Sequence, residues 1–224
     1  YRCVVSGTCP PAATTVARTL TVNVAPVVTT QPVSNAICPG GNTSFTIVST
    51  GAVLTYQWQV STNGGATFSN LSNTGIYSNV TTATLNLTGA TVATNNNQYR
   101  CVVNASCTPN TTSNAATLTF NSVPAVTSDG ANSSICAGDN TSFTITATGT
   151  GLTYQWESST NGGVTYNNVT NGGIYSNATT ATLNLTAVPA TSSSTLFRCV
   201  VSGTCTPSAT SAARLLTVTT LPSV

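Results

Sequence analysis

One spacing governs this chain. Tyr1-Arg2-Cys3-Val4-Val5 returns as Tyr99-Arg100-Cys101-Val102-Val103 and again as Phe197-Arg198-Cys199-Val200-Val201, 98 residues apart each time. Cys9, Cys107 and Cys205 keep the same period, as do Cys38 and Cys136, Trp58 and Trp156, and the prolines Pro26, Pro124 and Pro222. No insertion or deletion disturbs the register. The period divides the 224 residues into the C-terminal part of one repeat (1–24, its last two strands), two full repeats (25–122 and 123–220) and the start of another (221–224). The chain therefore reads as a piece of a longer array. A unit of about 100 residues can own a hydrophobic core. The period predicts beads on a string, not a solenoid whose repeats fold only by stacking.

Each bead reads as all-β. Runs rich in Val, Ile, Thr and Tyr alternate with period two and are broken by Gly, Asn and Pro. In the first full repeat the pattern predicts strand A from Val27 to Thr30, broken by Pro32. Strand B follows at 44–48, C at 54–60, a short strand at 66–69, E at 83–88, F at 98–104 and G at 117–121. Pro39-Gly40-Gly41 and Asn63-Gly64-Gly65 supply turns. About seven short strands with turn signals between them make a β-sandwich. Trp58 on the third strand, and Tyr99 two residues before Cys101, fit the immunoglobulin pattern of a strand-C tryptophan and a strand-F Tyr-x-Cys. Tyr99 falls where a tyrosine corner would be. Trp58, Trp156, Tyr99 and Phe197 are the expected core anchors. The usual strand-B cysteine is absent, its place taken by Ile47 and Ile145.

Charge is scarce, at 4% of residues, with three acids, five arginines, no lysine and no histidine. Five scattered arginines make no basic stripe for nucleic acid, and three isolated acids build no Ca²⁺ site. The residues offer no acid/base pair, no metal set and no activated nucleophile, so the expectation is a protein that is not an enzyme and needs no cofactor. No apolar run approaches a membrane span. Eight cysteines without a metal-type CxxC pair favour disulfides, and hence an oxidising compartment outside the cytoplasm.

The run Ile37-Cys38-Pro39-Gly40-Gly41, then Tyr56-Gln57-Trp58-Gln59 with Asn63-Gly64-Gly65, then Tyr99-Arg100-Cys101-Val102-Val103 and Cys107 resembles the immunoglobulin-like repeats of large Bacteroidota cell-surface proteins. These include adhesins of gliding bacteria exported by the type IX system. The resemblance covers the whole chain. It implies tandem immunoglobulin-like β-sandwiches, display at the bacterial cell surface, and an adhesive or structural role.

The disulfide candidates are Cys3, Cys9, Cys38, Cys101, Cys107, Cys136, Cys199 and Cys205. Strand A ends and strand F begins at one pole of a sandwich, which favours Cys38–Cys101, a closure stabilising by about 3–4 kcal/mol. The resemblance implies Cys38–Cys107 instead, although Cys107 after strand F belongs toward the opposite pole. A bond across the repeat boundary, Cys38–Cys205, and a local Cys101–Cys107 bond stay open. An unpaired member is read as a small buried apolar residue, not as a catalytic thiol, since nothing basic stands by to lower its pKa.

Trp58 is read as core and not as a sugar-stacking platform. Tyr77 and Tyr175 have no clear assignment. Arg100 alternates with inward Tyr99 and Cys101 and should cover apolar surface from outside. The many Asn-x-Ser/Thr triplets are weak glycosylation signals in so Asn-rich a chain. Edge strands are poorly guarded by charge, which favours association. The reading that follows is a disulfide-stabilised stalk or shaft in an extracellular adhesin or filament. Its partners would be neighbouring repeats, further copies in a filament, and a surface or glycan ligand. The alternative is an immunoglobulin-like module that binds glycan or protein through repeated weak contacts.

Overall fold

The computed structural model describes residues 1–220; residues 221–224, read as the start of a further unit, lie outside the described residues. Threonine and valine recur through the strands, where their β-branched side chains suit a pleated, half-buried surface. At the N-terminus, β1 (Val4–Val5) and β2 (Ala13–Thr14) form an exposed antiparallel pair.

The first full repeat contains β3 (Val27–Thr30), β4 (Asn35–Ile37), β5 (Thr43–Thr46), β6 (Val48–Thr50), β7 (Thr55–Ser61), β8 (Ser69–Asn70) and β9 (Tyr77–Ser78). After these come β10 (Thr84–Leu87), β11 (Gln98–Asn104), β12 (Thr111–Thr112) and β13 (Ala116–Phe120). One sheet has the order β5-β10-β9, and β3 pairs with β6. The other has the order β4-β13-β11-β7-β8, with β12 also on β11. The second full repeat reproduces this set as β14 (Ala125–Ser128), β15 (Ser133–Cys136), β16 (Thr141–Thr144), β17 (Thr146–Thr148), β18 (Thr153–Ser159) and β19 (Asn167–Asn168). It continues with β20 (Tyr175–Ser176), β21 (Thr182–Leu185), β22 (Leu196–Ser202), β23 (Ala209–Thr210) and β24 (Arg214–Thr219).

The break after the first strand has a different cause in each repeat. β3 runs antiparallel to β6, and then Pro32, which has no N–H to give a ladder, ends the pairing. The chain crosses to the other sheet, where β4 neighbours β13. At the matching position stands Gly130, with φ +71. A Cβ there would fall 2.4 Å from the Thr144 carbonyl oxygen, so only glycine fits. Beyond it β15 runs parallel to β24, from Ser133↔Leu216 to Cys136↔Thr219.

Strand B differs from its expected form. The continuous strand at 44–48 is two pieces, β5 and β6, parted at Ile47. Ile47 is buried and sends its N–H to the Ala83 carbonyl, 3.0 Å away. β9, β12 and their equivalents β20 and β23 are two-residue strands, too short for an alternating pattern to reveal them.

Alternation along β11 buries Tyr99, Cys101 and Val103 and turns Gln98, Arg100, Val102 and Asn104 outward. Across the interior lie Phe45, Trp58, Leu85, Leu87 and Leu118, all buried. The Phe45 and Tyr99 rings stack with centroids 4.9 Å apart. The second repeat has the same core in Phe143, Trp156, Leu183, Leu185, Phe197, Cys199 and Leu216. Each large side chain contributes about 1.5–3 kcal/mol by leaving water. The tyrosine-corner expectation is corrected. The Tyr99 hydroxyl faces the Tyr77 hydroxyl at 3.3 Å, and Phe197 has no hydroxyl to offer. The position is conserved between repeats as a ring for packing, not as a hydrogen-bonding corner.

The chain forms two compact units. The first holds Tyr1–Asn35, Asn42–Thr88 and Asn96–Leu118. The second holds, of the described residues, 119–220 together with Ala36–Gly41 and Gly89–Asn95. Inside the second unit, the Asn121 N–H donates to the Ile37 carbonyl at 2.8 Å, and the Gly40 N–H donates to the Ala90 carbonyl at 2.7 Å. Among the described residues no helix is long and apolar enough to cross a membrane.

Candidate functional site

The cysteines fall into three structural classes. Cys101 and Cys199 sit in the middle of β11 and β22, opposite Trp58 and Trp156 in the ladder. Both are fully buried, and their N–H groups are taken by Ser113 Oγ at 2.9 Å and Ser211 Oγ at 2.8 Å. Burial pushes each thiol up to about 11 from its ordinary value near 9. A thiol so held is protonated at neutral pH and is a poor nucleophile. It serves as a small core residue.

The second class stands on a turn. Cys38 opens Cys38-Pro39-Gly40-Gly41, in which the Gly41 N–H donates to the Cys38 carbonyl at 2.9 Å and Gly40 has φ +79. Proline second and a positive-φ glycine third are the requirements of a type II turn. Cys136-Ala137-Gly138-Asp139 repeats it, with the Asp139 N–H 3.1 Å from the Cys136 carbonyl and Gly138 at φ +94. The Asp139 carboxylate also accepts from the Cys136 N–H at 3.2 Å.

The third class follows strand F. Cys205 lies in the loop after β22, anchored by the Thr204 N–H on the Thr150 carbonyl at 2.9 Å. Cys107 lies in the loop after β11, anchored by the Ser106 N–H on the Ala52 carbonyl at 3.3 Å. Cys9, after β1, has the same place in the sequence and is exposed.

The disulfide joins the second class to the third: Cys38 to Cys205, 167 residues apart, inside the second compact unit. On the chain-entropy model a loop of that length is worth about 5 kcal/mol. The favoured Cys38–Cys101 pairing is therefore corrected, and Cys38–Cys107 and Cys101–Cys107 are absent too, since Cys101 and Cys107 are free thiols. The reason is depth. Cys101 is the fourth of seven residues in β11 and is sealed in the interior, so it cannot reach a turn at the end of the sandwich. Cys3, Cys9, Cys136 and Cys199 are likewise free.

The remaining expected residues are accounted for by packing. Trp58 and Trp156 are buried, and each indole N–H finds a carbonyl, Thr82 at 3.0 Å and Thr180 at 2.9 Å. Neither ring is available to a sugar. Tyr77 and Tyr175 are half-buried, with centroids 6.1 Å from Tyr99 and Phe197. Burial, and then the Tyr77 hydroxyl beside it, hold the Tyr99 phenol well above the ordinary range. Arg100 faces outward and lies 3.8 Å over the Phe68 ring, its Nε donating to Gln59 Oε1 at 2.8 Å. Arg198 does the same over Tyr166 at 3.8 Å, with Glu157 Oε2 at 2.7 Å. These arginines cover aromatic surface, a contact worth about 0.5–1 kcal/mol. The Phe68 and Tyr166 partners had no signal in the sequence beyond their period.

Among the described residues no three His, Cys, Asp or Glu side chains cluster as metal ligands would. An open groove of about 540 Å³ over the second repeat is lined by Asn140, Thr141, Ser142, Ser176, Asn184, Leu185 and Thr186, without a titratable side chain.

Residues 126–220 match a family described as a domain of unknown function, DUF8696. The comparison with curated proteins found no match. Among solved structures, the I67–I69 I-band fragment of titin is similar at 16% identity and a TM-score of 0.67, over 88% of this chain and 66% of that one. An E-to-A variant of those three titin domains is similar at 17% identity and a TM-score of 0.63, over the same shares of the two chains. Domains 1–5 of Sidekick-1 are similar at 18% identity and a TM-score of 0.56, over 96% of this chain and 45% of that one. The chain thus spans less than two thirds of the length of each of these structures. At such identities the likeness is one of fold, and the fold of this chain is that of tandem immunoglobulin-like domains.

Proposed function

We propose that these repeats are spacers: links in the shaft of an extracellular adhesin or filament, with 25–122 and 123–220 as successive links, displayed on a bacterial cell surface. The observation that carries this reading is the Cys38–Cys205 bond, which joins one 98-residue repeat to the next. A covalent tie between successive repeats suits a part that transmits load. The composition supports it as well. Side chains that would do chemistry are scarce, and the aromatic rings and arginines that recur are occupied in packing. The disulfide and the immunoglobulin-like fold support an oxidising, extracellular setting. Edge strands nearly without charge support lateral association with further copies. The resemblance to Bacteroidota surface repeats supports the bacterial placement and, within it, gliding adhesins exported by the type IX system.

The test is to pull the 224-residue chain by its ends with and without reductant. The residues enclosed by the bond should stay locked in oxidising buffer. Reduction should release them, adding roughly 550–600 Å of contour at 3.3–3.6 Å per residue. Equal contour in both buffers would remove the load-bearing tie and with it this reading.

The second reading, a module that binds glycan or protein by repeated weak contacts, draws on the polar groove over the second repeat. That groove offers hydroxyl and amide groups without an aromatic platform. A saturable ligand found on a glycan or protein array, lost on Asn184→Ala, would put this reading in place of the first.

A further inference from the structure

We propose that Cys136 and Cys107 are half-sites of the same bond that joins Cys38 to Cys205, each made to pair with the equivalent cysteine of a further copy of the 98-residue repeat. Cys136 would pair with a loop cysteine 167 residues after it, and Cys107 with a turn cysteine 167 residues before it. Under this rule each repeat is tied to the next by one disulfide, whether the array serves as a shaft or as a ligand-binding string.

Two observations carry the rule together. The first is the bond itself, which pairs a turn cysteine with the loop cysteine of the next repeat. Cys136 stands 98 residues after Cys38, and Cys107 stands 98 residues before Cys205. The second is that both half-sites are already built in the bonded geometry. The turn under Cys136 has the hydrogen bond and the positive-φ glycine of the turn under Cys38. The loop of Cys107 hangs on the Ala52 carbonyl as that of Cys205 hangs on Thr150. Cys107 Sγ lies 3.4 Å from the Asn23 carbonyl oxygen, and Cys205 Sγ lies 3.6 Å from that of Asn121, the equivalent residue. Access agrees. Cys136 is exposed and Cys107 partly so, whereas Cys101 and Cys199 are sealed in the core.

The chemistry is thiol–disulfide exchange with a small disulfide oxidant of the glutathione type. One cysteine thiolate attacks the oxidant's S–S bond, releasing one oxidant thiol and leaving a mixed disulfide. The partner cysteine displaces the second oxidant thiol. Two cysteine S–H groups give up two electrons and two protons to form one S–S bond. The oxidant takes them up as two thiols.

The test lengthens the chain by inserting a second copy of residues 123–220 directly after residue 220. The lengthened chain is oxidised in a glutathione couple, alkylated and mapped without reduction. Cys136 is expected joined to the loop cysteine of the added copy, with loss of its alkylation, while Cys38–Cys205 forms in the same molecules. Cys107 should stay alkylatable until a repeat is added on its N-terminal side in the same way. Cys136 remaining a reactive thiol where Cys38–Cys205 has formed would overturn the rule, and so would its joining any other cysteine. Absence of both bonds would overturn it as well, since the rule would then have no example.

Discussion

The two full repeats are one architecture written twice, and their differences are informative. Gln59 beside Arg100 becomes Glu157 beside Arg198, and the Nε contact persists at 2.8 and 2.7 Å. Phe68 becomes Tyr166, with the guanidinium 3.8 Å above the ring in both. Gln31 becomes Asp129, and each accepts the N–H of the residue 83 positions later, Asn114 or Ala212. Pro32 becomes Gly130 where the first strand changes sheets. The role at each position is kept while the chemistry varies. Tryptophan and cysteine at the core, turn and loop positions do not vary at all. What is under constraint is packing depth, turn geometry and the cysteine pairing. The exchangeable chemistry lies on the faces.

The strongest way to break this equivalence is at its invariant centre. Trp58→Ala and Trp156→Ala each remove a buried ring and its hydrogen bond, and each should cost its own repeat about 3–5 kcal/mol. Denaturant unfolding of the two variants should give matched losses. A difference above about 2 kcal/mol would mean that one core tolerates a cavity the other does not.

Alkaline pH should then separate the repeats. Cys101 and Cys199 titrate near 9 in the unfolded chain and at about 11 in the native one. Below pH 9 both states hold the proton and the contribution is complete. Between pH 9 and 11 the unfolded chain loses it first, so stability falls, by on the order of 2 kcal/mol per repeat. The first repeat also buries Tyr99, whose phenol is raised strongly, while the second has only the half-buried and less shifted Tyr175. The first repeat should therefore weaken more steeply above pH 10. Midpoints read from Trp58 in a Trp156→Phe chain, and from Trp156 in a Trp58→Phe chain, check this. Parallel curves would show that the Tyr99 hydroxyl contributes nothing of its own.

That hydroxyl can also be moved. Tyr99→Phe gives the first repeat the ring of the second and should cost about 0.5–1 kcal/mol, the worth of one long hydrogen bond to Tyr77. Phe197→Tyr should place a hydroxyl toward Tyr175, whose ring stands 6.1 Å away as Tyr77's does from Tyr99, at a change of under about 1 kcal/mol. Calorimetry of both variants tests whether the position is interchangeable.

Much of this architecture was legible in the residues. The F-strand signature recurs three times, and its alternation placed Tyr99 and Cys101 inward and Arg100 outward. The same alternation held the signal that rules out Cys38–Cys101: an inward residue at mid-strand lies too deep to meet a turn. Pairing Cys38 with Cys101 because strand F begins at the pole where strand A ends passed over that signal, although Cys101 is the fourth of the strand's seven residues. The Cys38–Cys205 bond was legible only as one option, because pattern within a repeat tells which end a loop occupies and not which loop of the next repeat it meets. The rings beneath Arg100 and Arg198 were hidden for a related reason. Phe68 and Tyr166 lie on irregular backbone before two-residue strands, where no periodicity assigns a face.

The smallest expected effect concerns one of the places where the repeats differ in charge. Glu157→Gln turns the second repeat's Glu157–Arg198 ion pair into the first repeat's Gln59–Arg100 hydrogen bond. The pair is partly solvated, with side-chain exposures of 33% and 17%. Screening then leaves it worth about 0.5 kcal/mol or less. The guanidinium should keep its seat over Tyr166, because the equivalent arginine keeps its seat over Phe68 with a neutral neighbour. The variant's midpoint should therefore shift slightly at low salt and coincide with wild type near 1 M salt, where the Debye length is about 3 Å. A salt-independent loss above about 1 kcal/mol would mean that the carboxylate positions Arg198. The two faces would then be built on different principles despite their shared geometry.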